Sequence, residues 1–309
     1  MKKSLLSIFL LTSLPMVTVG CNGNKHDSGK MSSVAVKGIA ELPLPVVPDS
    51  ILTPEGRVAF ALPRFWDAMD FSDKSQSLDT VFMEQNFANF ASLFELADSA
   101  VMTQSVANLM VKAEKTPEAA DFIRAIAEKY LHDSDSPMRD EESFIYFLRW
   151  DISSKSLTEE AKERSRLLLE DAMKNRQGSQ ASDFNVITRE DDRSSMLSLA
   201  KRDGKRTLLI FYDPDCESCS AILGQLSSVA LPSDVKVIAV DAEDNRKRWE
   251  ETKNEMPAHW TVAYSLSPIV ENEIYLLPAM PTIYLLDKEG IILLKDPTPE
   301  KLVRYLHFH

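Results

Sequence analysis

The stretch LLIFYDPDCESCSAI, residues 208–222, holds the pattern that decides the fold of the C-terminal half. An apolar and aromatic run ends at Asp213-Pro214, and Cys216 and Cys219 follow with two residues between them. A continuous apolar run predicts a strand covered on both faces, and the cysteines then open the helix that follows it. The spacing fits a redox-active dithiol, half of a zinc site or a structural disulfide, so the rest of the chain has to discriminate between them.

Strand and helix patterns alternate around this stretch, from residue 179 to residue 309. Short runs rich in branched and aromatic residues predict strands at RTLLIFYD, VKVIAVDA, WTVAYS, PTIYLLDKEG and IILLKD. Helical stretches lie between them, and Gly290 in LDKEGIILL predicts a hairpin turn near the end. This alternation predicts an α/β domain over residues 179–309, with a central mixed sheet flanked by helices.

The strand–helix context gives the two cysteines a chemical role. Cys216 is expected at the helix N-terminus, where free backbone N–H groups and the helix dipole favour a thiolate. Cys219 follows one turn later and lies beneath it, in position to resolve a mixed disulfide. The pair is a poor structural staple, because so short a loop removes little chain entropy from the unfolded state.

A second motif, AMPTIYLLDKEG, places Met280-Pro281-Thr282 directly before a predicted strand, where a proline removes no ladder hydrogen bond. Together with the Cys-x-x-Cys pair, it resembles the cis-proline loop of the thioredoxin superfamily. The resemblance implies that Pro281 is cis and that its loop packs against the cysteine pair. It also implies that the neighbouring backbone pairs with a client peptide.

A redox enzyme of this kind needs an apolar surface beside its exposed cysteine, on which a client protein can dock. Tyr212, Pro214 and Met280 are the candidates for this apolar surface, which we call the ledge. The predicted site therefore joins the cysteine pair, Pro281 and this ledge.

A segment between the two motifs, DNRKRWEETKNEMPAHWTVAYS, adds a helix and a strand that plain thioredoxin lacks. This insertion is similar to that of the TlpA/ResA-like group of membrane-tethered, extracytoplasmic thioredoxins, which act in disulfide reduction and cytochrome maturation. The chain departs from these relatives at Asp215, Ile210 and Ile222. The family usually has a tryptophan at the first of these places, thioredoxin has a buried aspartate at the second, and the ResA-like group has a glutamate at the third. Both usual proton-transfer carboxylates are therefore missing here.

Acidic side chains flank the predicted thiolate. Asp213, Asp215 and Glu217 disfavour it, whereas the helix terminus favours it by a similar amount. Because these effects nearly cancel, we expect the pKa of Cys216 to lie close to that of a free cysteine. A higher thiolate pKa accompanies a more reducing couple, which predicts a weak reductant or isomerase-type donor.

A zinc site at the cysteines would need two further ligands. No second Cys-x-x-Cys occurs, His259 is the only histidine in the middle of this region, and His307 and His309 end the chain. No metal and no cofactor are therefore predicted. The remaining alternative is a non-catalytic scaffold lipoprotein, in which the cysteines form a fixed disulfide and the helical region carries the function.

The N-terminus, MKKSLLSIFLLTSLPMVTVGC, has two lysines, an apolar run and small residues before Cys21, which predicts a secretory signal peptide over residues 1–20. A transmembrane helix fits less well, because polar residues and a proline interrupt the run. Gly20-Cys21 resembles a bacterial lipobox, although Thr18 stands where that motif prefers leucine. The resemblance implies a lipid on Cys21, and an ordinary cleaved signal is the alternative.

Residues 21–55 are predicted to be a lipidated tether and extended linker, polar at first and then too rich in proline for a helix. Export and a lipid anchor imply the cell envelope of a bacterium, facing the periplasm or the outer surface, and Asn22 resembles the pattern of outer-membrane lipoproteins. The expected partners are exported proteins with thiols or disulfides, an upstream membrane reductase, and the membrane through the lipid. The net charge of −12 argues against nucleic acid as a partner.

Residues 56–178 are predicted to form an all-α domain. TPEAADFIRAIAEKYLH starts with Thr116 as a candidate N-cap and Pro117 at the first helical position. In SLTEEAKERSR, Ser156 and Glu159 have capping-box spacing. The aromatic residues of this region are expected in its core rather than in a binding groove; they include Phe65, Trp66, Phe71 and Trp150.

Overall fold

The computed structural model describes residues 41–308 of the chain. The predicted signal peptide over residues 1–20, the lipidation site Cys21 and most of the 21–55 tether lie outside the described residues. The described end of the tether has no helix or strand before Pro54, where the first helix begins.

The N-terminal half of the described chain is helical. Its helices are α1 (Pro54–Ala61), α2 (Lys74–Ser77), α3 (Thr80–Ala91), α4 (Ser99–Ala113), α5 (Pro117–Leu131), α6 (Glu141–Ser153) and α7 (Glu159–Met173). Side-chain oxygens of Asp79 and Asp98 cap α3 and α4 by accepting backbone N–H groups of the first turn. Helix α7 is capped by Thr158, which accepts the Ala161 N–H, so the cap predicted at Ser156 is wrong.

Aromatic side chains fill the centre of this helical half, as predicted. Phe65 and Trp66 are each 2% exposed, and the ring centroids of Phe65 and Phe90 are 5.3 Å apart. Trp150 lies nearer the surface, and its Nε1 donates to Glu114 at 3.0 Å. The aromatic residues of this half therefore stabilise its core rather than line a groove.

Arg124 of α5 lies in a largely buried ion network between the helices. Its guanidinium donates to Glu114 at 2.6 Å and to Asp151 at 2.8 Å. Burial raises the pKa of Asp151, and the charge of Arg124 opposes that rise. Because one arginine bridges two carboxylates, it connects α5 to α6 and to the end of α4.

The C-terminal half alternates strands and helices. Its elements are β1 (Asn185–Thr188), β2 (Arg193–Ser195), α8 (Met196–Lys201), β3 (Arg206–Tyr212), α9 (Glu217–Ser228), β4 (Val235–Asp241), α10 (Arg246–Thr252), β5 (Thr261–Ser265), β6 (Thr282–Leu286), β7 (Ile292–Lys295) and α11 (Pro299–Phe308). The strands form a sheet in the order β2-β1-β5-β4-β3-β6-β7, in which β3, β4 and β5 run parallel and the other neighbours are antiparallel. This mixed sheet with flanking helices confirms the predicted fold class. Within the described residues, every helix is too short or too polar to cross a bilayer.

The β1–β2 hairpin is not among the predicted strands. Strand β1 is short, and β2 consists of an arginine and two serines. Such short or polar segments give no alternation that sequence reasoning can detect. The hairpin joins the sheet through long-range pairing, in which Val186 of β1 lies opposite Ser265 of β5.

Strand β3 is buried on both faces, as its continuous apolar run predicts. Ile210 and Tyr212 pack in the layer that contains Cys219. Leu209 and Phe211 pack on the opposite face of the sheet. Because β3 is a central strand, the turn that follows it carries the start of α9 to the carboxyl edge of the parallel strands.

The segment that follows α7 pairs with the outer edge of β7. The Gly178 N–H donates to the Ile292 carbonyl at 2.8 Å, and the Ile292 N–H donates to the Ser179 carbonyl at 2.9 Å. Ion pairs also join the two halves, among them Arg139 with Asp296 at 3.0 Å. The polar segment after the helices is therefore held against the sheet by backbone hydrogen bonds.

Candidate functional site

Cys216 caps helix α9 with its own sulfur. Its Sγ accepts the Cys219 backbone N–H at 3.2 Å, and its own N–H donates to the Asp213 carbonyl at 3.2 Å. The preceding turn is closed by Asp213 Oδ1, which accepts the Asp215 N–H at 2.8 Å. The helix position predicted for Cys216 is confirmed, and the sulfur lies where the N–H groups of the first turn point.

The two sulfurs differ in exposure and in acidity. Cys216 is half-buried, whereas Cys219 is 1% exposed and lies on the buried face of α9. Both are free thiols. Desolvation raises the pKa of Cys219 to about 12, and the hydrogen bond with Cys216 acts in the same direction. Of the two, Cys216 is therefore the more acidic and more exposed thiol, and the one suited to attack first.

The proline loop lies against Cys216, as the resemblance implies. The Met280–Pro281 peptide bond is cis, and the Met280 carbonyl oxygen is 3.6 Å from Cys216 Sγ. Ser218 connects the two: its Oγ is 3.0 Å from Cys216 Sγ and donates to the Met280 carbonyl at 3.1 Å. One of the two residues between the cysteines thus connects the proline loop to the sulfur of Cys216.

Hydrogen bonds set the acidity of Cys216. Desolvation raises its pKa, but hydrogen bonds from the Cys219 and Ser218 side chains, and from the backbone N–H groups of both, lower the pKa by more. One of the neighbouring carboxylates is also paired, because Arg248 of α10 contacts Asp215 at 2.7 Å. The expected cancellation is therefore corrected: the pKa of Cys216 is lowered, because the hydrogen bonds to its sulfur outweigh the effect of desolvation.

Most of the predicted ledge lies around the cysteine. Pro214, Met280 and Pro281 are half-buried and close to Cys216 in the chain or in space. Tyr212 is 1% exposed, so its predicted role in contacting clients is wrong. The reason is the strand period: alternate residues share a face, so Tyr212 turns inward with Ile210.

The sequence alone does not identify three residues that lie near the cysteines in the structure. Ser218 lies inside the Cys-x-x-Cys motif, but its hydrogen bond to Met280 depends on the position of the proline loop. Arg248 lies on the inserted helix, and only the tertiary fold brings it to Asp215. Asp241 ends β4 directly opposite Tyr212, is 1% exposed, and has its pKa raised by desolvation to about 7. Its one sequence signal is an acidic residue that closes the apolar run VKVIAV.

A cleft of about 860 Å³ lies between the helical half and the β6–β7 hairpin. Leu277 and Pro278, which lead into the proline loop, line it together with Lys295 and Asp296. Its charged side chains are mixed in sign. In the described part of the chain, no cluster of histidine, cysteine, aspartate and glutamate is suited to holding a metal ion.

The chain is similar to several solved structures of proteins from Bacteroides. A thioredoxin-like protein from Bacteroides caccae is 28% identical, with a TM-score of 0.76, over 88% of this chain and 99% of that one. A protein of unknown function from Bacteroides fragilis is 32% identical over 42% of this chain and 98% of that one, with a TM-score of 0.39. The thioredoxin domain of a thiol-disulfide oxidoreductase from Bacteroides vulgatus is 20% identical over 42% of this chain and 95% of that one, with a TM-score of 0.36.

The helical half matches a family model. Residues 20–175 match the family described as "Domain of unknown function (DUF5106)". No curated protein matches the chain. The C-terminal half has a thioredoxin-like fold, which fits a TlpA-like thioredoxin with an N-terminal domain of unknown role. The chain therefore belongs to the DUF5106 family, with a thioredoxin-like domain after the helices that define it.

Proposed function

We propose that this protein is an exported, membrane-anchored thiol-disulfide oxidoreductase, which reduces or exchanges disulfides in other exported proteins through Cys216 and Cys219. The observation that carries the proposal is the position of Cys216 Sγ. It caps α9 and lies 3.6 Å from the Met280 carbonyl of a cis-proline loop. A structural disulfide needs neither an acidic thiol nor a neighbouring backbone segment that can pair with a client.

The reaction that this arrangement supports has two exchanges. The Cys216 thiolate attacks one sulfur of a client disulfide, and the other client sulfur leaves as a thiolate that takes a proton. Cys219 then loses its proton and attacks the Cys216 sulfur, which releases the second client thiol. Two electrons and two protons pass to the client, and the protein is left with a Cys216–Cys219 disulfide.

The client is expected to dock where Pro214, Met280 and Pro281 surround the reactive sulfur. Regeneration requires a thiol reductant, which we assign to a membrane reductase on the exported side. The signal pattern over residues 1–20 and the lipobox-like Cys21 support export and anchoring, and the bacterial outer membrane is the proposed location.

The test is a redox titration of the full-length chain carrying Cys21→Ser in detergent, which leaves Cys216 and Cys219 as its cysteines. The chain is equilibrated with glutathione or dithiothreitol buffers, and the fraction of free thiol is measured by mass shift after alkylation. Cys216→Ser is the control. We expect a reversible two-electron couple nearer to thioredoxin, at about −270 mV, than to a strong oxidant, at about −120 mV.

Two outcomes oppose the proposal in different ways. A couple near that of a strong oxidant would keep the enzyme but reverse its direction. A pair that stays oxidised under all but the harshest reduction, or never forms a disulfide, would make the C-terminal half a scaffold and move the function to the helical half.

A further inference from the structure

Three buried polar atoms lie close together at the carboxyl ends of β3 and β4. Tyr212 Oη, Asp241 Oδ2 and Trp249 Nε1 have no hydrogen-bond partner within the described residues. Each of their side chains is 1% exposed or less. A buried polar group without a partner is costly, so three in one place need a reason.

The strand register explains why these atoms are close. Tyr212 of β3 and Asp241 of β4 are directly opposite in a parallel pair, so their side chains leave the same face of the sheet. Tyr264 of β5 is the next residue in that row, and the Trp249 ring packs on it with centroids 5.6 Å apart. Trp249 Nε1 lies close to the Tyr212 hydroxyl and acts to lower the pKa of Tyr212. The two atoms nevertheless do not reach hydrogen-bonding geometry.

The Tyr212 hydroxyl is electrostatically coupled to both Asp241 and Cys219. Burial raises the pKa of Tyr212, and the negative charges of Asp241 and of an ionised Cys219 both raise it further. Tyr212 and Cys219 also belong to the same packed layer. The hydroxyl is therefore within electrostatic range of both a carboxylate and the thiol that must lose a proton.

We propose that Asp241 is the proton acceptor for Cys219, acting through the Tyr212 hydroxyl and an internal water held by Tyr212, Asp241 and Trp249. The inference rests on the proposed oxidoreductase function. In the second exchange, the Cys219 proton passes to the Asp241 carboxylate, and the Cys219 thiolate attacks the Cys216 sulfur. The client sulfur leaves as a thiolate and takes a proton from solvent. When the disulfide is reduced again, Asp241 returns its proton to Cys219.

The proposed proton acceptor, Asp241, lies on β4 and not on β3, the strand that precedes the cysteines. Ile210 occupies the place where thioredoxin has its buried aspartate. Asp241 lies on β4 directly opposite Tyr212, whose side chain packs in the same layer as Cys219. Desolvation raises the pKa of Asp241 to about 7, which suits a group that has to take up and release a proton near neutral pH.

Other charged groups also act on this buried group. The Glu243 backbone N–H donates to Asp241 Oδ1 at 2.9 Å and favours the ionised form. The negative charges of Asp213, Asp215 and Glu243 disfavour it. Further titratable or charged groups lie on the neighbouring elements. They are Arg189 after β1, Cys219 on α9, Asp244 in the loop after β4, Arg246 and Arg248 on α10, and Tyr264 on β5.

The experiment separates the two exchanges. The reduced full-length chain carrying Cys21→Ser reacts with a symmetric nitrobenzoate disulfide, whose thiolate is coloured, in a stopped-flow instrument between pH 5.5 and 9. The first equivalent of thiolate reports attack by Cys216, and the second reports attack by Cys219 on the mixed disulfide. The variants are Asp241→Asn and Tyr212→Phe. Asp244→Asn is the matched control, because it removes an exposed negative charge from the loop after the same strand.

We expect the second phase of the unsubstituted chain to rise with pH and level off near the pKa of Asp241. Asp241→Asn should slow that phase roughly 100-fold at pH 7 and make it rise in proportion to hydroxide. Tyr212→Phe should slow it in the same direction, and Asp244→Asn should leave it unchanged. The first phase should change little in all three variants.

The opposing results are distinct. If the second phase of the unsubstituted chain already rises in proportion to hydroxide without a plateau, Asp241 is not the acceptor, and this holds even if Asp241→Asn does not fold. An Asp241→Asn variant with an unchanged second phase also rules out Asp241 as the acceptor. If no second equivalent is released at all, the proposed function itself fails.

Discussion

Arg248 on the inserted helix pairs with Asp215, the residue directly before the reactive cysteine, at 2.7 Å. The chain has Asp215 where its thioredoxin relatives carry a tryptophan, and α10 supplies the opposite charge. The inserted helix and the turn that leads into Cys216 are thus joined by an ion pair.

Arg248→Ala should make Cys216 less reactive. The substitution leaves Asp215 unpaired beside the sulfur, so the pKa of Cys216 should rise and its thiolate fraction at pH 7 should fall. We expect alkylation by iodoacetamide to slow roughly two- to threefold, as befits one solvent-screened charge. The control is Lys247→Ala, which removes a more exposed charge from the same helix. Equal rates in the two variants would show that the ion pair has no influence on the thiol.

Ser218→Ala should raise the pKa of Cys216, because the thiolate loses a hydroxyl that can donate to it. It also frees the Met280 carbonyl. The expected result is slower alkylation, by roughly threefold or more at pH 7, and a more reducing couple. Ser220→Ala, on the exposed side of the same helix, is the matched control. A lower pKa in Ser218→Ala would mean that the serine serves the loop rather than the thiolate.

Asp241→Asn should stabilise the fold at alkaline pH. The pKa of Asp241 is raised from 3.8 to about 7 in the folded chain, so the folded state holds an extra proton between these values. Stability from this group is fully present below about pH 4 and is lost as the pH rises through 7. Urea unfolding should show a gain for Asp241→Asn of up to about 4 kcal/mol at pH 8, and little gain at pH 4. A gain of equal size at both pH values would contradict the assignment of the buried charge.

Arg124→Ala should destabilise the helical half strongly. It leaves Glu114 and Asp151 as largely buried carboxylates without their cation. We expect a loss of about 3–5 kcal/mol in the free energy of unfolding, measured in urea at pH 7. Arg166→Ala, which removes an exposed arginine of α7, should have little effect. If the two losses match, the network contributes no more than surface pairs do.

The parts of the fold that the sequence predicts are those with strong local patterns. The run before Cys216 predicts β3, the helix start predicts the position of the sulfur, and Gly290 predicts the β6–β7 turn, where its φ is 80°. The proline loop is predicted through its resemblance to thioredoxins. Each of these patterns lies within a few neighbouring residues, so it can be recognised without knowledge of the tertiary structure.

The parts that the sequence does not predict depend on contacts between distant segments. Tyr212 reads as an exposed aromatic beside the cysteines, yet the strand period turns it under the sheet. Asp241 reads as an ordinary strand end, and only the register opposite Tyr212 buries it. The residues of β2, an arginine and two serines, are typical of a polar loop. Their strand structure comes from pairing with β1 at the edge of the sheet.

The pairing of Gly178 and Ser179 with β7 has a consequence for dissecting the protein. At the edge of the sheet beyond β6, the chain that leads in from the helices occupies the hydrogen-bonding side of Ile292, the first residue of β7. A fragment cut at Phe184, just before β1, would uncover that side and present unpaired N–H and C=O groups to other molecules. Such a fragment is expected to self-associate by strand addition, so a thioredoxin-like piece that behaves as a monomer must begin before Gly178.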